Sequence, residues 1–75
     1  ISFSLPDAGM VELMIYNMKG QRVRTLVKQD YDRGIHNVEW DGNDGSGTIV
    51  GSGVYLYELR VNGRSEAVKK CLMLK

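Results

Sequence analysis

From Val54 to Val61 the side chains alternate without a break: Tyr55, Tyr57, Leu59 and Val61 fall on one face, Val54, Leu56, Glu58 and Arg60 on the other. A period of two marks a β-strand. Asn62-Gly63 follows at once. Both residues tolerate the left-handed conformation that a type I′ turn demands, and this dipeptide after an alternating run is the strongest short-range hairpin signal. The chain must therefore contain an antiparallel hairpin, with a last strand from about Ser65 to Leu74. Everything else has to pack around it.

The remaining chain reads the same way. Ile1, Phe3 and Leu5 alternate with Ser2 and Ser4, and Pro6-Asp7-Ala8-Gly9 ends the run. Val11, Leu13 and Ile15 share one face of a second strand, with Met10, Met14 and Tyr16 making the other face partly apolar. Asn17-Met18-Lys19-Gly20 is a hairpin loop in which Gly20 supplies a positive φ. Gln21 to Gln29 is extended, because Val23, Thr25 and Val27 favour strand over helix; an irregularity is expected at Leu26-Val27. After a loop at Asp30–Gly34 comes a strand from Ile35 to Trp40, with His36, Val38 and Trp40 on one face. Gly51 and Gly53 predict a bulge or corner before the Val54 strand. No helix is predicted. Trp40, Tyr55 and Tyr57 are the largest side chains and are expected to fill the middle of the core.

Size and charge narrow the function. A chain of 75 residues leaves about 40% of its unfolded surface exposed after folding, too little core for a deep catalytic cleft. Ten basic and nine acidic residues give a net charge of +1, without the basic excess of a nucleic-acid binder. No apolar run reaches the length of a membrane-spanning helix. The one cysteine, Cys71, can form neither an internal disulfide nor a zinc site. A start at Ile1 rather than methionine suggests a piece of a longer protein, with residues 1–75 forming a single domain.

Four groups of residues invite a chemical reading. Asp41, Asn43 and Asp44 among glycines resemble a calcium loop, but the spacing fails the EF-hand pattern, and Asp/Asn turn capping explains the same residue types. His36 lacks a convincing nucleophile or carboxylate partner and reads as a packed structural histidine. Cys71 beside Lys69 and Lys70 is a small apolar strand residue unless the lysines activate its thiol. Arg60, Arg64, Lys69, Lys70 and Lys75 either form a docking patch or guard an edge strand against association. Glycine 51 and 53 precede a strand, not a helix, so they do not cradle phosphate.

Several stretches in series resemble a known family. Ile15-Tyr16-Asn17-Met18-Lys19-Gly20-Gln21-Arg22-Val23-Arg24-Thr25-Leu26-Val27, then Gly34, His36, Val38, Trp40, Asp41 and Gly42, then Ser52-Gly53-Val54-Tyr55-Leu56-Tyr57, and finally Lys69-Lys70 with Leu72, Leu74 and Lys75 resemble the type A C-terminal sorting domain of type IX secretion. That domain is similar to the immunoglobulin-like domain of the flagellar hook-capping protein. The resemblance implies an all-β, small immunoglobulin-like antiparallel β-sandwich of six to seven strands. It further implies a non-enzymatic, folded C-terminal signal, with no cofactor or metal, on a secreted or cell-surface protein that passes through the periplasm. Its partners would be outer-membrane secretion and sortase components and an upstream cargo domain. Lys69, Lys70, Leu72, Leu74 and Lys75 would make the contact. The alternative is a structural immunoglobulin-like module that spaces domains, or self-associates through edge strands in an extracellular assembly.

Overall fold

The computed structural model describes residues 1–73, so Leu74 and Lys75 lie outside the described residues. Six strands follow one another: β1 (Ser2–Leu5), β2 (Gly9–Tyr16), β3 (Arg22–Tyr31), β4 (Gly34–Asn37), β5 (Gly53–Val61) and β6 (Arg64–Met73). They form two antiparallel sheets. The larger has the order β3-β2-β5-β6, and the smaller holds only β1 and β4. The result is the expected all-β sandwich.

The core follows from the alternation in β2. Val11, Leu13 and Ile15 are fully buried, because β2 has a neighbour on each side and the small sheet above it. Phe3 and Leu5 descend from β1 onto Val11 and Leu13. Burying each such side chain contributes about 1.5–3 kcal/mol, so this cluster is the main stabilising element. Leu26, Val27, Tyr31, Val38, Tyr57, Leu59 and Val61 pack around its margin. The expectation that Trp40, Tyr55 and Tyr57 fill the centre is not met. All three are half-buried. Tyr57 flanks the core, while Trp40 and Tyr55 meet edge to face at 5.2 Å at the end of the sandwich. There the indole Nε1–H donates to the Asn43 carbonyl at 2.9 Å. A polar N–H needing a partner favours this margin over the sealed centre.

Turn chemistry sets the registers. Asn62 and Gly63 have φ of 52° and 82°, as a type I′ turn requires. Asn62 also ties the hairpin to β2: its N–H donates to the Met10 carbonyl at 2.8 Å, and its side-chain Oδ1 accepts from the Met10 N–H at 3.0 Å. A Cβ on Gly9 would come within 3.0 Å of that side chain, which is why a glycine opens β2. Gly20 closes the β2–β3 loop with φ 82°, and the Asn17 carboxamide accepts from the N–H groups of Lys19 and Gln21. Leu13 pairs with Val27 and Met14 with Thr25, so the irregularity expected at Leu26-Val27 is a bulge at Leu26. A further register shift, in β6 between Ala67 and Ser65, leaves Glu66 as the extra residue.

The ends of β3 and β4 differ from the sequence reading. β3 continues through Asp30 to Tyr31, reducing the loop to Asp32-Arg33. Tyr31 is retained in the strand by Phe3 and His36, whose rings lie 5.4 and 4.7 Å away. β4 stops at Asn37 instead of Trp40; the ladder with β1 extends one pair further, to Ile1 and Val38, and Glu39 and Trp40 have no strand partner among the described residues.

We expect Leu13→Ala to cost about 2–5 kcal/mol, a large part of the roughly 4–11 kcal/mol typical of a 75-residue domain. Ile35→Ala, at a side chain 83% exposed, should change stability by less than about 0.5 kcal/mol. Urea unfolding of both variants checks the placement of the core.

Candidate functional site

The residues expected to contact a partner are on β6, an edge strand of the larger sheet. Strand alternation divides them. Lys69 pairs with Tyr57 and faces the gap between the sheets, beside Ala67. Lys70 and Leu72 pair with Leu56 and Val54 and belong to the opposite, outward face. Leu72 is 63% exposed and Val54 41%, so this cross-strand pair forms a short apolar stripe in water. Leu74 and Lys75 lie beyond the described residues. The lysines are thus on an edge, where charge disfavours unwanted pairing, but they do not form one patch.

The other candidate groups have structural work. Asp41 Oδ1 accepts from the Asn43 N–H at 3.0 Å and from the Arg24 guanidinium at 2.9 Å. Asp44 Oδ1 accepts from the backbone of Ser46 and Thr48 and from the Ser46 hydroxyl at 2.7 Å. These carboxylates shape the loop, as turn capping predicts, and the bonds to them hold both below the usual carboxylate range. His36 Nε2–H donates to the Asp32 carbonyl at 2.7 Å and its ring packs on Phe3 and Tyr31, so it is a packed histidine. Cys71 is half-buried and burial pushes its thiol up. That opposes activation by the neighbouring lysines. On the outer face Tyr16 donates to Glu58 at 3.2 Å, and Arg60 Nε reaches the same carboxylate oxygen. The Ser65 hydroxyl and the Arg60 charge hold Glu58 below its ordinary value.

One feature was invisible in the sequence. The two-stranded sheet is narrower than the four-stranded sheet beneath it, and the difference opens a groove beside β1. Two adjoining hollows of about 260 and 230 Å³ make up this groove. Both are bounded by Ser4 and Leu59. Tyr57, Ala67 and Lys69 complete the first, Asp7, Val61 and Glu66 the second. The β6 bulge sends Glu66 to this rim. Among the described residues, no strand pairs with the facing edge of β1. Ile1 and Val38 exchange both backbone hydrogen bonds at 2.8 Å. In an antiparallel pair such exchanges alternate, so Phe3 and Leu5 bond to β4 while the N–H and C=O groups of Ser2 and Ser4 point into the groove.

The two packed antiparallel sheets and their tied hairpins define a small immunoglobulin-like β-sandwich. Residues 2–66 match the FlgD Ig-like domain model, and the chain belongs to that family. No curated protein and no solved structure matches the chain. The family is structural, and its match bears out the hook-capping side of the resemblance. Lys69 and the residues after it fall beyond the matched span.

Asp41, Asp44 and Glu58 hold fewer protons in the fold than in the unfolded chain. Their stabilisation is therefore present above their ordinary values of 3.8 and 4.5 and is lost as pH falls through the lowered ones. Melting temperatures measured down to about pH 2.5 should fall less steeply for Asp44→Asn than for the parent chain. Cys71 should react with iodoacetamide at neutral pH more slowly than free cysteine, as read by mass spectrometry.

Proposed function

We propose that the domain is a structural immunoglobulin-like module that joins an extracellular assembly through its strand edges. The observation that carries this reading is the outer edge of β1, whose backbone groups at Ser2 and Ser4 have no strand partner among the described residues and border a groove of mixed polar and apolar lining. Exposed edges are where proteins add strands from other chains. The structural character of the family supports the same reading. Light scattering over a wide concentration range tests it. The mass should rise with concentration; a strict monomer at millimolar concentration contradicts the reading.

A second reading, a sorting signal for type IX secretion, is favoured by the exposure of Lys69, Lys70 and Leu72 on the edge strand. Here the outer-membrane secretion components would read the folded sandwich by its last strand. A reporter with a general secretory signal, fused to this domain in a type IX host, should reach the surface, and Lys69→Ala with Lys70→Ala should trap it in the periplasm. A folded reporter that stays periplasmic without these substitutions removes the sorting reading.

A further inference from the structure

We infer that the groove between β1 and β6 accepts one extended peptide strand of defined polarity, supplied by another protein. The inference rests on the module reading above and names the surface and the partner's chemistry. The backbone of Ser2 and Ser4 presents donors and acceptors toward the groove at the spacing of a strand edge. Below that edge, Tyr57 and Leu59 of β5 and Ala67 of β6 form an apolar floor. The incoming strand therefore needs alternating residues, small apolar ones facing the floor and polar ones facing water.

Charge fixes the direction. Lys69 borders the Ile1 end of the groove, whereas Asp7 and Glu66 border the other end. Among the described residues, the ion pairs are Arg24–Asp41 and Arg60–Glu58, which leaves these three charges available to a partner. An antiparallel strand on β1 runs from the Asp7 end towards the Ile1 end. It then carries a basic residue near its start and an acidic residue near its finish. A second copy's β1 would bring its own four-stranded sheet against β6, so self-association of the module uses the outer edges of β3 and β6 and leaves the groove to a single strand from another protein.

The test uses the 75-residue chain labelled with nitrogen-15 and two capped peptides, Arg-Thr-Val-Thr-Val-Thr-Glu and its charge-exchanged form Glu-Thr-Val-Thr-Val-Thr-Arg. The first should give saturable amide shifts centred on Ser2, Ser4, Ala67 and Lys69. It should bind about three- to tenfold more tightly than the second at low salt. Ser4→Pro removes an edge donor that β4 does not use and should abolish binding while the β4 amide shifts are retained. Lys69→Glu, at an exposed side chain, should erase the preference between the peptides without unfolding the domain. Shifts centred on the free edge of β3, equal binding of the two peptides, or no saturable shift at millimolar peptide would each overturn the inference. If the last result accompanies concentration-dependent mass in light scattering, the groove assignment fails while the module reading stands.

Discussion

The packing of Phe3 and Leu5 onto Val11 and Leu13 is the contact on which the sandwich depends. It joins the two sheets, and the smaller sheet has only two strands to contribute. A two-stranded ribbon is marginal by itself in water, so β1 and β4 are ordered mainly by what they bury. The fully buried positions all belong to β2, the strand with the most covered face. The edges carry the exposed charge and the unpaired backbone.

That asymmetry also creates the groove. Four strands below and two above cannot cover one another. The uncovered part lies over β5 and β6, beside the open edge of β1. A wider upper sheet would close it. The same geometry separates Lys69 from Lys70: neighbours on a strand face opposite ways, one toward the gap and one toward water.

Local features of the sequence translated directly into structure. Asn62-Gly63 and Gly20 adopted the positive φ their turns require, and Leu26 forms a bulge. The Asp41 and Asp44 side chains hydrogen-bond their own loop. What the sequence could not display was non-local. The pairing of β1 with β4 spans some 35 residues of separation, and no local pattern specifies it. Side-chain size misled at Trp40 and Tyr55, whose polar atoms instead bond to the Asn43 and Gly51 carbonyls at the margin. The expected contact residues were correctly placed on the final strand as far as Leu72, but alternation divided them between two faces. Glu66 reaches the groove only through a register shift. No composition or charge count reveals such a shift.

Amide hydrogen exchange along β1 tests the open edge most directly. Phe3 and Leu5, bonded to β4, should be protected, and Ser2 and Ser4 should exchange at close to the rate of a free chain. The β2 amides should be the slowest in the domain, exchanging only through global opening. Equal protection of Ser4 and Phe3 would mean that the second edge of β1 is already paired, and the account of an open groove would be wrong.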